Sequence, residues 1–279
     1  MSRRRWIALV AGAAGAGIAG DAFGPAANEV KLSRIDLLLP GLPEAFDGLR
    51  IAQVTDVHLP ANHEAAARAL ELLAAERPDV VVHTGDLLER STAADALVEF
   101  ARQARGTLAT FATMGNWEWW GGVVPALARE AYGAAGVQFL HNEHACLERD
   151  GARLAVVGLD DPVRGRPDPA RALEGLDDAT RLWLVHAPGL ASGLPVARRA
   201  SLVLAGHTHG GQIRFPPLPP LRIRGSGPFI AGRYPVAAGT LYVSRGVGTS
   251  GIRARLNCPA ELPILVLRSG GASPHVPGQ

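Results

Sequence analysis

Residues 50–58 read RIAQVTDVH, a mostly apolar run that leads directly into Asp56 and His58. We predict that Arg50 to Thr55 form a strand inside a sheet, since short apolar runs bounded by polar residues are typical of buried strands. The strand would end at Asp56, with His58 two positions further on. A carboxylate and an imidazole are both side chains that bind metal ions.

Four more side chains of metal-ligand type follow apolar runs in the same way, directly or nearly so. They are Asp86, Asn116, His186 and His207. Each has an ordinary explanation when taken singly, because an Asp after a strand is often a helix cap and a buried His is often only structural. Together they predict one site, because ligands bind at the carboxyl ends of the strands in α/β sheets.

The segments between these strands have helical character, and the alternation predicts the fold class. Helices are predicted at His63 to Glu76, Ala93 to Arg105 and Val123 to Tyr132, with strands at Val80 to Thr84 and Leu108 to Thr113. The second half has more closely spaced strands, at Arg153 to Gly158, Arg181 to His186, Ser201 to Ala205, Thr240 to Ser244 and Pro263 to Leu267. Strands that alternate with helices predict an α/β layer architecture, here with a second, mixed sheet.

The first residues have the pattern of an export signal. Arginines at positions 3–5 precede an apolar stretch from Ile7 to about Ala19, which is too short to span a bilayer comfortably. Paired arginines before a bulky apolar residue resemble a twin-arginine signal, which exports folded proteins. We predict a signal or N-terminal anchor at 1–27, one domain at 28–270 and a flexible tail at 271–279. The protein would be in the periplasm or on the outer face of the cytoplasmic membrane.

The composition of the 279-residue chain argues against some classes of function. Hydrophobic residues make up 47% of it, and the net charge is only +2 with no long basic run in the body. Nucleic-acid binding is therefore not expected, since it usually needs a clustered basic surface. Cys146 and Cys258 are far apart and form no CxxC pattern, so a thiolate metal site is not expected either. Whether they form a disulfide stays open, and two unpaired, buried thiols are the simpler interpretation.

Residues 206–211 read GHTHGG, in which glycines flank two histidines two positions apart. Flanking glycines let the backbone turn sharply and approach a ligand closely. The full set of blocks is then D-x-H at 56–58, G-D at 85–86, G-N at 115–116, His186 and G-H-x-H at 206–209.

This ordered set resembles the calcineurin-like metallophosphoesterase superfamily, over the body of the chain from Leu49 to about Leu267. The form GHTHGGQ, which ends at Gln212, and the tail residues 242–246 and 257–259 are similar to the bacterial exported branch of that superfamily.

The resemblance implies a fold and a set of metal ligands. The fold would be a four-layer α/β/β/α sandwich of two mixed sheets, with the site at the sheet edges. Carried over by position, the first of two divalent metal ions would be held by Asp56, His58 and His209. The second would be held by Asn116, His186 and His207, and Asp86 would bridge the two.

These residue types suit a hydrolysis that uses two metals. Two cations about 3.5–4 Å apart can share a hydroxide and hold both the attacking and the leaving oxygen of an in-line displacement. Mixed imidazole and carboxylate ligands favour Mn, Fe or Zn. Asp86, Asn116 and His207 are the predicted catalytic residues, and no protein nucleophile is needed. We therefore predict a metal-dependent phosphoesterase, and more specifically a phosphodiesterase, that hydrolyses a phosphoester or pyrophosphate.

The third block departs from the family pattern G-N-H-[DE], because Trp117 stands where a histidine would contact the phosphate and help the leaving group depart. An indole N–H is only a donor and cannot shuttle a proton. Either the leaving group needs little protonation or another group takes over, with His63 and His144 as candidates that nothing in the sequence excludes. The alternative is a low-activity or non-catalytic protein that binds phosphorylated envelope components through its metals. The GNxE and GHTH blocks argue against a further alternative, a metallohydrolase of amides or esters.

Three tryptophans, Trp117, Trp119 and Trp120, cluster in a chain with only 5% aromatic residues. Either at least one packs in the core, or the cluster forms an apolar wall for the lipid or sugar portion of a substrate, with Phe215 to Pro220 opposite it. Trp117 and Arg245 are the predicted substrate-binding residues, although an arginine near a strand end is often only part of a surface ion pair. The expected partner is a phosphorylated small molecule or an envelope lipid or sugar, and any membrane association would occur through the N-terminus.

Overall fold

The computed structural model describes residues 29–196 and 201–270. The predicted export signal at 1–27 and the predicted tail at 271–279 lie outside the described residues. Within the described ranges, no helix is both long enough and apolar enough to cross a membrane. Cys146 and Cys258 are both unpaired, but only Cys258 is buried, and Cys146 is partly exposed on the strand Glu143–Arg149.

The first sheet has six strands and contains the stretch at residues 50–58. In spatial order its strands are β1 (Val30–Pro40), β12 (Ala260–Gly270), β2 (Arg50–Val54), β3 (Val80–Thr84), β4 (Ala109–Thr113) and β5 (Gln138–Phe139). All neighbours are parallel except β12 and β2, which are antiparallel. Strands β2 and β3 are buried on both faces, which explains their nearly continuous apolar sequences.

The second sheet also has six strands. In spatial order they are β10 (Gly232–Val236), β11 (Gly239–Val243), β9 (Ser201–Ala205), β8 (Thr180–Leu184), β7 (Ala152–Gly158) and β6 (Glu143–Arg149). The two outermost pairs are antiparallel and the inner pairs are parallel. Both sheets are therefore mixed, as the sequence predicts.

Helices complete the layers. They are α1 (His63–Glu76), α2 (Ala94–Gln103), α3 (Asn116–Trp120), α4 (Pro125–Ala134) and α5 (Pro169–Ala172). Alternate residues of β2 show the layering, because Ala52 packs in the cluster shared with the helices whereas Ile51 packs in the cluster between the two sheets. A third cluster around Trp183 lies on the outer side of the second sheet, under α5 and a 3₁₀ segment at Pro188–Gly193. The predicted four-layer sandwich is confirmed, with a thin outer layer on the second sheet.

Several elements were not predicted from the sequence: β1, β5, β6, β10, α3 and α5. Strand β1 runs along the whole of β12, from Val30 opposite Ala260 to Pro40 opposite Gly270. It lies at the sheet edge and is only partly buried, so it has no continuous apolar run to mark it. Its partner β12 is correspondingly longer than the predicted Pro263 to Leu267. The helix predicted from Val123 begins at Pro125 instead, a residue that favours the first helical turn.

Candidate metal centre

The carboxyl ends of five strands place five polar side chains at regular offsets. Asp56 and Asp86 each lie two residues after β2 and β3, and Asn116 lies three residues after β4. On the second sheet, His186 and His207 each lie two residues after β8 and β9. All five are buried, as are His58 and His209. The predicted convergence of strand ends is therefore present in the structure.

Asp56, His58 and His209 form a first group of three, which we call the first trio. One ligand atom from each lies within 4.8 Å of the others. The Nε2 atoms of His58 and His209 are 3.1 Å apart, and His209 Nε2 lies 3.4 Å from Asp56 Oδ1. Ring nitrogens and a carboxylate oxygen that face one another at these distances could hold a metal ion.

Asp86, His186 and His207 form the second trio, also within 4.8 Å of one another. His186 Nε2 lies 3.0 Å from Asp86 Oδ2 and 3.2 Å from His207 Nδ1. The other nitrogen of each ring donates to a backbone carbonyl: His186 Nδ1 to Thr84 at 2.9 Å, and His207 Nε2 to Arg224 at 2.7 Å. These outer hydrogen bonds fix the tautomers and leave a lone pair on each ring directed into the trio.

Asn116 completes the set of donors. Its side-chain oxygen is buried and has no hydrogen-bond partner among the described residues. A buried amide oxygen without a partner is unfavourable, and a cation beside the second trio would satisfy it. Asp86 Oδ1 accepts the backbone N–H of Trp117 at 2.8 Å, which ties α3 to the second trio. The donor set therefore fits two divalent cations, and the bridging role of Asp86 stays a prediction.

The backbone at the candidate ligands adopts an uncommon conformation. Five of the seven have a positive φ: Asp56 (55°), His58 (56°), Asp86 (54°), His207 (71°) and His209 (48°). Few non-glycine residues adopt this region, and such residues cluster at functional sites where the surrounding structure holds them in place.

Two glycines allow the close approach of the strand ends. A Cβ atom on Gly115 would collide with the carboxylate of Asp86, and one on Gly206 would collide with Thr55 and Asp56. The glycine that precedes Asn116 or His207 is therefore required for space. His207 N donates to both carboxylate oxygens of Asp56 at 3.0 Å, so the two trios are joined through one backbone amide.

Glu118 supports the second trio and was not singled out from the sequence. Its buried carboxylate accepts backbone N–H groups from Asp86 (2.9 Å), Leu87 (2.7 Å), Leu88 (3.1 Å) and Gly115 (2.9 Å). The acidic position in the block GNxE was the available signal. Glu118 thus fixes the backbone on both sides of the second trio.

Burial shifts the pKa of most candidate ligands, but at His186 it is outweighed by nearby carboxylates, chiefly that of Asp86, which raise the pKa of this imidazole well above its usual value. Burial lowers the pKa of His58 and of His207 to about 3, because a charged imidazole is poorly solvated there. Neutral imidazole is the form that binds metals. Burial also raises the pKa of Asp86 to about 7, with the neighbouring His186 acting in the opposite direction.

A cleft of about 550 Å³ opens above the second trio and is lined by Asp86, Asn116 and His207. Trp117 and Trp120 form one wall, with their rings edge to face at 5.4 Å. Trp119 instead packs against the core and donates its indole N–H to Asp160 at 2.9 Å. One tryptophan thus packs against the core while the other two line the cleft, and contact with a substrate stays a prediction.

Further apolar side chains line the cleft: Ile213, Leu221, Ile223 and Ile252. The predicted segment Phe215 to Pro220 is not part of the lining, although Ile213 and Leu221 lie just before and after it.

The structure does not place Arg245 in the lining of the cleft. Its Nε lies 3.3 Å from Glu261 Oε2, in the kind of ion pair that the sequence left open. Arg164 and Arg224 line the cleft instead, and the sequence analysis missed both. His63 is exposed at the start of α1, and His144 Nδ1 contacts the carbonyl of Ala172. Neither histidine lines the cleft.

The sequence model of the calcineurin-like phosphoesterases matches residues 49–211, more than half of the chain. The chain belongs to this calcineurin-like phosphoesterase family. Two relatives have names that contain the word metallophosphoesterase or phosphodiesterase. The chain is 29% identical to the "Uncharacterized metallophosphoesterase YkuE" of Bacillus subtilis, over 96% of this chain and 98% of the relative. It is 30% identical to the "Phosphodiesterase YaeI" of Escherichia coli, over 71% of this chain and 74% of the relative.

Among solved structures, TT1561 of Thermus thermophilus is similar to this calcineurin-like phosphoesterase. It is 15% identical, with a TM-score of 0.43 over 71% of this chain and 89% of TT1561. Family membership therefore rests on the match of the sequence model.

Proposed function

We propose that this calcineurin-like phosphoesterase is a phosphodiesterase that uses two divalent cations, with Mn, Fe or Zn as candidates. One observation supports the diester most directly. The second trio contributes to a cleft that is also lined by apolar side chains from several segments of the chain, which leaves room for the organic groups of a phosphate diester. The relative named as a phosphodiesterase, at 30% identity, is consistent with this proposal.

The chain's own residues would bind and orient the substrate. Arg164 and Arg224 line the cleft and would attract the phosphate anion. The indole rings of Trp117 and Trp120 would exclude water from one side and contact an apolar ester group. When bound, two divalent cations supply Lewis-acid polarisation of the phosphoryl group and activation of water. Asp56, His58 and His209 would hold one cation, and Asp86, Asn116, His186 and His207 the other.

The test is hydrolysis of bis-(p-nitrophenyl) phosphate and p-nitrophenyl phosphate by the full chain loaded with Mn. We expect turnover of the diester to exceed that of the monoester and to disappear in Asp86→Ala. Asp95→Ala, an exposed carboxylate at the start of α2, is the matched control and should retain turnover. Faster turnover of the monoester would contradict the phosphodiesterase proposal.

A second candidate function follows from Trp117, which lines the cleft beside the second trio and cannot deliver a proton. In this alternative the protein binds phosphorylated envelope components through its metals and turns them over slowly or not at all. Two bound metals with no turnover of either substrate would favour it.

Export is proposed separately, from the arginines and the apolar stretch at the start of the chain. Cell fractionation of the tagged full chain tests it, with Arg4→Lys/Arg5→Lys as the variant. The native chain should be outside the cytoplasm and the variant should accumulate inside. Cytoplasmic recovery of both would contradict the proposal.

A further inference from the structure

Exposed apolar side chains surround the mouth of the cleft. Of the ten large apolar side chains that are exposed in residues 29–196 and 201–270, six lie here, and we call them the apolar rim: Trp120, Phe215, Leu218, Leu221, Ile223 and Ile252. Four of them line the cleft, and Phe215 and Leu218 lie in the loop that leads to Leu221. They come from three separate segments of the chain, so the apolar rim is a surface of the folded domain. Contiguous apolar surface of this kind marks an interaction site.

Exposed arginines alternate with the apolar rim. Arg222 follows Leu221, Arg224 follows Ile223, and all four side chains are exposed. Neither of these arginines, nor Arg164 on the cleft, forms an ion pair with another described residue. The charges of these three arginines are therefore not neutralised by direct ion pairs with described residues, although Asp86 lines the same cleft.

The sequence on both sides of these arginines is also rich in positive charge and lacks acidic residues. Residues 179–260 contain ten arginines and no Asp or Glu, although the net charge of the whole chain is only +2. Acidic residues are thus concentrated elsewhere in the chain. Within this segment Arg245 pairs with Glu261 and Arg255 is buried, whereas Arg222 and Arg224 have no ion-pair partner among the described residues. Together with the apolar rim, these two arginines are complementary to a surface that is both anionic and apolar.

We propose that the apolar rim docks this protein on an anionic lipid bilayer, with the mouth of the cleft facing the membrane. Trp, Phe, Leu and Ile side chains gain free energy by entering the boundary between headgroups and acyl chains, while arginines contact the phosphates above it. A nucleic acid would use the arginines but leave the exposed aliphatic side chains in water. This docking surface belongs to the folded domain and is separate from any association through residues 1–28. It would bring a phosphorylated amphiphile to the second trio without removing its chains from the bilayer.

Vesicle binding by the full chain tests the proposal. The vesicles contain phosphatidylglycerol and phosphatidylethanolamine in equal amounts, and vesicles of phosphatidylcholine are the uncharged comparison. Phe215→Ser/Leu218→Ser should weaken binding to the anionic vesicles about tenfold or more, from the loss of apolar insertion. Arg222→Gln/Arg224→Gln should weaken it about fivefold for each arginine, and added salt should reduce that difference. Leu108→Ser/Val196→Ser, at exposed positions away from the cleft, should bind like the native chain.

A local probe separates docking from tethering through the N-terminus. An environment-sensitive dye is attached at Leu218→Cys or at Leu108→Cys, which are similarly exposed at 68% and 63%. Cys146→Ser serves as the background, since Cys258 is buried. On anionic vesicles the emission at position 218 should shift to the blue, and that at position 108 should not. This difference is expected even where the N-terminus dominates total binding.

Three results would overturn the proposal. One is equal emission at positions 218 and 108 on anionic vesicles. Another is equal binding of the native chain to charged and uncharged vesicles. The third is a dimer in solution that Phe215→Ser/Leu218→Ser converts to a monomer, which would assign the apolar rim to a second copy of the chain. Sedimentation velocity without lipid measures the last of these.

Discussion

The carboxylate of Glu118 accepts the backbone N–H of Asp86 at 2.9 Å, so a residue of α3 holds the residue that follows β3. The same carboxylate accepts three further backbone N–H groups, including that of Gly115 just before Asn116. It is therefore an outer support for two candidate ligands at once. Asp86 adopts a positive φ, and a fixed anion beneath its amide is one reason why that conformation persists.

We expect Glu118→Gln to weaken both the fold and metal binding. An amide has one acceptor oxygen where the carboxylate has two, so buried N–H groups would lose partners at about 1–3 kcal/mol. Loss of an outer support typically costs about 10–100-fold in metal affinity. Denaturant titration and calorimetric titration with Mn measure the two effects. Glu130→Gln, at an exposed position of α4, should change neither, and a Glu118→Gln variant that matches it would contradict the supporting role.

Removing one histidine from either trio should cost the protein the metal ion of that trio alone. His209→Ala removes a ring from the first trio, and His186→Ala removes one from the second. Each variant should bind one fewer cation per chain than the native protein after loading with Mn, because each trio keeps only two of its three donors. Metal content by atomic emission measures this, with His63→Ala as the exposed control. Unchanged metal content in both variants would exclude the trios as metal sites.

Individual strands and residues show which features of the structure could be predicted from the sequence. Strands β3 and β9 have the predicted bounds because they are short runs buried on both faces and each is followed directly by a glycine. Strand β1 was not predicted, because it is an edge strand whose partner, β12, lies more than 200 positions away in the chain. Arg164 and Arg224 were not predicted to line the cleft, because no local sequence pattern distinguishes an arginine that does so. Arg245 was predicted to bind substrate from its place after a strand, yet the position of Glu261 decides where it points.

Trp117→His tests whether a proton donor is the missing part of this site. The indole lies edge to face with His58 at 5.5 Å, so a histidine here would face the same cleft. For a diester with an alkyl leaving group, which needs protonation, we expect kcat to rise about 10²-fold or more. For a p-nitrophenyl leaving group, which departs without a proton, the change should be small. Equal kcat changes for the two substrates would show that the site does not depend on a donor at this position.

The buried His83 should make the free energy of unfolding depend on pH. Burial lowers its pKa to about 4 in the folded protein, where its Nε2 donates to the carbonyl of Ala104. The unfolded chain, with a pKa near 6.5, binds the proton more readily, so stability is complete above about pH 6.5 and falls as the pH drops towards 4. Between pH 7.5 and 5 the loss is on the order of 2 kcal/mol. The free energy of unfolding of His83→Gln should fall less over this range than that of the native chain, and equal slopes would contradict the assignment.

Trp120 lies at the entrance of the cleft, half exposed at 50% and edge to face with Trp117. If this wall contacts an apolar ester group, its loss should weaken binding of substrates that have such a group and spare those that do not. We expect Trp120→Ser to raise KM about tenfold for a diester with a long alkyl chain, and to leave KM for a methyl diester nearly unchanged. Val124→Ser is the matched control, because Val124 is equally exposed and does not line the cleft. An equal rise in KM for both substrates would mean that Trp120 shapes the phosphate site itself and that the apolar wall does not select the substrate.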